Sequence, residues 1–82
     1  MTTENNRPAH EIRLGRIKAA IWKNETEGGS SRHNVQFRRL YRDEKTNEWR
    51  SADSFGRDDL LLLAEVARLA THWIHQRAQE EV

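Results

Sequence analysis

The chain has 82 residues, of which 35% are hydrophobic and 33% charged. That makes it one domain with a small core, because short chains bury proportionally less surface than long ones. It contains no cysteine, which excludes disulfides and thiolate metal sites and fits a reducing compartment. No run approaches the roughly 20 apolar residues of a membrane-spanning helix, and the opening "MTTENNRPAHE" lacks the apolar stretch of a signal peptide, so the expectation is a soluble, cytoplasmic protein without a membrane segment.

The formal net charge of +1 hides an uneven distribution. Residues 10–42 carry eight basic side chains against three acidic ones, and residues 43–82 carry five basic against nine acidic. Such asymmetry bears on partners rather than on fold, and it points to a cationic surface made by the first half of the chain.

Residues 1–9 are polar, include the only proline and show no periodicity, so they read as a flexible tail. Residues 10–78 read as a single strand-strand-strand-helix domain, with 79–82 as a frayed end. In "RIKAAIWK", Ile17, Ala19 and Ile21 alternate with Arg16, Lys18, Ala20 and Trp22, the period of a half-buried strand. Ile12 and Leu14 have the opposite parity. A register change at Gly15-Arg16 reconciles them, either as a bulge in one bent strand or as two short strands meeting there. The stretch "NETEGGSSRH" reads as a long hairpin loop, able to close over a ligand.

In "HNVQFRRLYRD", Val35, Phe37 and Tyr41 share one parity, and Asn34, Gln36, Arg38, Leu40 and Arg42 share the other. After a compact turn at "DEKTN", "EWRSADSF" reads as a further strand with Trp49 and Phe55 inward and Arg50 and Ala52 opposite. A helix then runs from about 57 to 77, with Asp58 and Asp59 in its first turn, where carboxylates complement the exposed N–H groups. Leu60, Leu63, Ala67, Ala70 and Ile74 form one stripe that can lie on the sheet, and Leu62, Val66, Leu69 and Trp73 form a second. A single sheet layer does not cover both stripes, so the second is expected to meet another copy in a two-fold homodimer. The fold class is therefore α+β: an antiparallel meander of three to four strands, then one long C-terminal helix on one sheet face.

With the aliphatic residues under the helix, the other face displays Arg16, Lys18, Trp22, Gln36, Arg38, Arg42 and Arg50. Cations follow a phosphate backbone and an exposed indole stacks on bases, so Arg16, Lys18, Arg38, Arg42 and Arg50 are the candidate phosphate contacts and Trp22 the candidate base platform for single-stranded DNA or RNA. His72 and His75 stand three apart on the helix, but two imidazoles do not make a metal site. Asp58-Asp59, Ser51 and Ser54 form no nucleophile or acid-base constellation, and there is no phosphate-cradling loop or cofactor fingerprint. The expectation is a non-enzymatic protein with no cofactor, metal or small-molecule substrate. The alternative is a small protein-protein interaction module that uses the apolar helix stripe or the arginine-rich sheet face, with Trp73 as an anchor.

The stretches "IKAAIWKNE" and "HNVQFRRLYRDEKTNEWRSADSFGRDDLLLLAEVA" resemble a family of short, uncharacterised bacterial proteins that carry "IW-NE", "SFGRDDL" and a helix rich in leucine and alanine. In element order and charge placement the chain is also similar to the single-stranded-DNA-binding domain of the transcriptional coactivator positive cofactor four. That resemblance implies a homodimer held largely by its helices, with strands from both subunits making cationic channels where aromatic side chains stack on unpaired bases.

Overall fold

A computed structural model describes residues 7–25, 28 and 31–80. Four strands, β1 (His10–Leu14), β2 (Ile17–Glu25), β3 (Ser31–Arg42) and β4 (Trp49–Ala52), form one antiparallel sheet in the order β1-β2-β3-β4. A 3₁₀ turn at Arg57–Asp59 leads into the helix α1 (Leu60–Glu80). The protein is thus α+β, with the helix beginning at Leu60 behind the short turn and running on to Glu80.

The parity conflict at the start is resolved by a two-residue hairpin turn. Leu14 pairs with Ile17 and Ile12 with Ala19, so residues of opposite sequence parity stand on one face because directly opposed residues share a face. Gly15 takes the positive φ of +57° that tight hairpin turns need and that costs glycine nothing sterically. Of the two expected forms, the one with two short strands meeting at this glycine is the one present.

The long connection expected at 24–33 is shorter than its composition suggests, because β2 continues to Glu25 and β3 begins at Ser31. The closing of that loop over a ligand falls on residues 26, 27, 29 and 30, outside the described residues, as do residues 1–6 of the expected tail and 81–82 of the expected frayed end.

Ile12, Leu14, Ile17, Ala19, Ile21, Val35 and Phe37 fall on one face, set by the pairings Ile12↔Ala19, Leu14↔Ile17, Ala19↔Phe37 and Ile21↔Val35. This face carries α1. Ile17, Ala19 and Val66 make the central cluster, with Ile12, Leu14, Val35, Phe37, Phe55 and Leu63 packed around it. Ile17, Ile21 and Val66 are fully buried. At roughly 25 cal/mol per Å² of apolar surface removed from water, a few aliphatic side chains of this kind carry most of the stability of so small a domain.

Leu63 packs on the core and Ala70 is buried, as expected of the first stripe, but the covered face of α1 also takes in most of the second, and Asp59 gives the reason. Asp59 is 2% exposed, and it accepts from Arg16 Nε at 2.8 Å and Nη2 at 3.3 Å and from the Gly56 N–H at 2.9 Å. A carboxylate fixed against the β1–β2 turn sets the phase of everything behind it. Val66 and Trp73 follow at seven-residue intervals, close to two helical turns, and so face the same way.

Of the stripe expected to meet a partner copy, Val66, Leu69 and Trp73 are therefore turned toward the sheet, while Leu62 stays 36% exposed. Val66 is in the central cluster, Trp73 stacks on His10 at 4.7 Å between ring centres, and Leu62 lies beside Gly15. Leu69 is half-buried. Conversely Leu60, expected on the sheet, is 52% exposed, beside Leu61 at 84%.

Candidate nucleic-acid interface

The second face of the sheet carries no helix. Its strand residues follow from the pairings: Glu11 and Arg13 on β1; Lys18, Ala20, Trp22 and Asn24 on β2; Arg32, Asn34, Gln36, Arg38, Leu40 and Arg42 on β3; Trp49 and Ser51 on β4. Arg13 pairs with Lys18, and Lys18 pairs with Arg38. Three cations thus stand in one transverse row across three adjacent strands. Like charges placed directly opposite destabilise a sheet, and a neighbouring carboxylate only partly offsets them here. Glu11 lies 3.4 Å from Lys18 Nζ and is the one acidic residue among the strand positions of this face. Among the described residues Arg38 has no ion pair.

Two indoles share the face. Trp22 lies opposite Asn34 and donates its Nε1–H to Gln36 Oε1 at 3.2 Å. With Asn24, Asn34 and Gln36 it lines a shallow, open depression of about 300 Å³. Trp49, opposite Arg42, is 64% exposed, and the Arg42 Cζ is 5.8 Å from its ring centre. Along β3 the Trp22 and Trp49 rows are eight residues apart, about 27 Å at the rise of a strand. Trp49 was expected inward with Phe55; it is outward because it pairs with Arg42 of the open face, and β4 stops at Ala52, so the period of two does not extend to Phe55. Its exposure on the cationic face is the feature the sequence reading missed, and the pairing partner Arg42 is the signal that finds it.

Two expected members of this face are elsewhere. Arg50 pairs with Tyr41 on the helix side of the sheet and is engaged by Asp43 at 3.0 Å and Glu48 at 3.5 Å; the inverted face of β4 moves it there. Arg16 sits in the β1–β2 turn and is committed to Asp59. The hydrogen bonds from Arg16, then the one from the Gly56 N–H, hold the Asp59 carboxyl below the usual carboxylate range against the opposing effect of burial. The same pairing raises the Arg16 guanidinium. Lys18, Trp22, Arg38 and Arg42 are brought onto one surface as the alternation predicts, with Arg13, Arg32 and Trp49 added to them.

His72 and His75 are exposed on α1, and among the described residues no three His, Cys, Asp or Glu side chains are grouped so as to hold a metal ion. No described helix is long and apolar enough to cross a membrane. Compared with known proteins, the chain matches no family model, no curated protein and no solved structure.

Proposed function

We propose that this is a non-enzymatic protein that binds single-stranded DNA or RNA through the open face of its sheet. The observation that supports this reading is the row Arg13–Lys18–Arg38. Lys18 has Glu11 and Arg13 donates to the Gly15 carbonyl, but the three cations still stand opposed across the sheet, and a polyanion laid over them replaces the remaining repulsion with attraction. Arg42 and Arg32 extend the positive track along β3, and Trp22 and Trp49 offer π-faces on which any base can stack. Binding of this kind is sequence-tolerant and strongly salt-dependent.

The reading includes a homodimer in the cytoplasm. With Val66 and Trp73 turned inward, the surface offered to the second copy is the leucine shoulder at the start of α1, Leu60, Leu61 and Leu62, so that of the expected stripe Leu62 remains and Val66, Leu69 and Trp73 do not. Three large apolar side chains exposed side by side on so small a domain fit a self-complementary two-fold contact. The same shoulder is what favours the second reading, a module that docks on a different protein.

Oligonucleotide binding measured against salt tests the main reading. Each phosphate neutralised on a single strand contributes a slope of about −0.7 in log affinity against log salt. Arg38→Ala is expected to weaken binding to all sequences alike and to flatten the slope by about that amount, and Trp22→Ala to weaken binding with the slope kept. Absence of any salt-sensitive binding at roughly 50 µM protein, well inside the range of non-specific affinities, rejects the reading.

A further inference from the structure

We infer that the depression around Trp22 is a subsite for one unpaired base and that it prefers adenine; this rests on the reading of the open face as a single-strand surface. The amides of that face form a cluster between cations. The row Arg13–Lys18–Arg38 lies to one side and Arg32, opposite Asn24, to the other, and among the described residues the depression is lined by Trp22, Asn24, Asn34 and Gln36. A track built only to hold phosphates has no use for three neutral carboxamides gathered about an indole, since phosphate is best held by guanidinium and ammonium groups.

The hydrogen bond within the site fixes how it is presented. An indole N–H only donates, so the atom of Gln36 facing it at 3.2 Å is the oxygen, and the Gln36 NH₂ is left for other partners. Among the described residues the side chains of Asn24 and Asn34 make no hydrogen bond. Both are exposed, so water satisfies them and a ligand can replace that water. The subsite therefore offers a stacking plane with adjacent carboxamide donors and acceptors around it, in a volume of about 300 Å³, at the small end of ligand sites.

The choice among bases follows from what lines the depression and what does not. Guanine is read best by a guanidinium or ammonium on its two acceptors, cytosine by a carboxylate on its amino group, and thymine by apolar contact with its methyl group. Among the described residues no charged or aliphatic side chain is in the lining. A carboxamide pairs with the adjacent donor and acceptor of adenine, and a purine covers more of the indole than a pyrimidine does. The result is one discriminating position on an otherwise tolerant surface.

The test uses the full chain and an oligothymidylate about 12 nucleotides long, compared with the same strand carrying one central adenine, guanine or cytosine. A bound strand can shift along the face to place its one guest base over Trp22. Expected is binding about fivefold to tenfold tighter for the adenine strand, the lower part of the range for a bidentate base contact because the site is open to water. The preference is expected to disappear in the double variant Asn34→Ala, Gln36→Ala, whose exposed positions leave the fold intact by circular dichroism, while its salt slope stays that of the wild type. Equal affinity for all four strands, a preference for guanine or cytosine, or an adenine preference that survives the double variant overturns the subsite and leaves the single-strand reading standing. Failure of every strand to bind in a salt-sensitive way overturns both.

Discussion

The two faces of this sheet are made by alternate residues of the same strands, and they differ in almost every property. On the covered face Ile17, Ala19 and Ile21 are fully buried against Val66 and its neighbours. On the open face the intervening positions are Lys18, Ala20 and Trp22, flanked by Arg13, Gln36 and Arg38. Truncating a buried isoleucine to alanine costs about 2–5 kcal/mol, a large part of what a domain of this size possesses. Truncating Arg38 on the reverse removes a repulsive neighbour of Lys18. One face is where the fold resides, and the other departs from what stability alone selects, which is the usual mark of a binding surface. Effects on stability and effects on ligand affinity are therefore expected to segregate by strand parity.

The largest expected effect tests the covered side through Asp59, the one buried charge among the described residues. Asp59 joins the start of α1 to the β1–β2 turn through Arg16 and sets which way the helix faces. Asp59→Asn keeps the shape and removes the charge, and it is expected to lower the melting temperature at pH 7 by about 5 °C or more, a substantial shift for fewer than a hundred residues. The pH dependence has a definite sign. A carboxyl held below its ordinary range in the folded state contributes stability that is fully present above the unfolded value and is lost as pH falls through the folded one. Wild type and variant are thus expected to differ at neutral pH and to converge below roughly pH 4, in thermal melts followed by circular dichroism. A gap between the two curves that stays constant down to pH 2 contradicts the pairing.

A second experiment asks whether the covered side ends at the helix or continues into another copy. Leu61 is 84% exposed beside Leu60, and Leu61→Glu is expected to convert a wild-type species of twice the 9.7 kDa chain mass into the single chain, with the melting temperature changed little beyond what dissociation brings. Sedimentation equilibrium reads both. Wild-type protein that sediments as one chain at micromolar concentration removes the homodimer and leaves the leucine shoulder to a different partner.

How far the two faces were legible in the sequence depends on strand length. β2 and β3 are long enough for the period of two to fix parity unaided, and Lys18, Trp22, Arg38 and Arg42 stand on the face that alternation assigns them. β4 has four residues, Trp49–Ala52, too few to separate a periodic signal from the coincidence that Phe55 shares the parity of Trp49, and its face was inverted. The helix was legible as a helix, and Leu63 and Ala70 lie on its covered side as expected, but how far that side extends was not. Apolar residues at 60–64, 66, 67, 69, 70, 73 and 74 surround more than half its circumference, so composition leaves the extent open. What closes it is the pairing of Asp59 with Arg16 across 43 residues of chain. Local spacing carries no trace of a contact so distant, and an aspartate ahead of a helix is explained equally well as a first-turn acid.

The smallest expected effect is also the one that separates the open face into its parts. Trp49 is exposed, already touches Arg42, and lies about 27 Å along β3 from the Trp22 row. It contributes nothing to the covered side, so Trp49→Ala is expected to leave the melting temperature unchanged. A strand of about 16 nucleotides extends over both indoles, and there the loss of one stacking platform is expected to weaken binding about fivefold, the low end of what a base on an aromatic ring contributes. A strand of about four nucleotides held over Trp22 does not extend to Trp49, and its affinity, followed by amide chemical shifts, is expected not to move. Arg50→Ala, on the helix side of the same short strand, serves as the reference and is expected to change neither. Equal losses on the long and short strands mean that Trp49 acts on the sheet as a whole rather than on a distant base, and a loss for Arg50→Ala as large as for Trp49→Ala means that the two faces do not divide the work by parity.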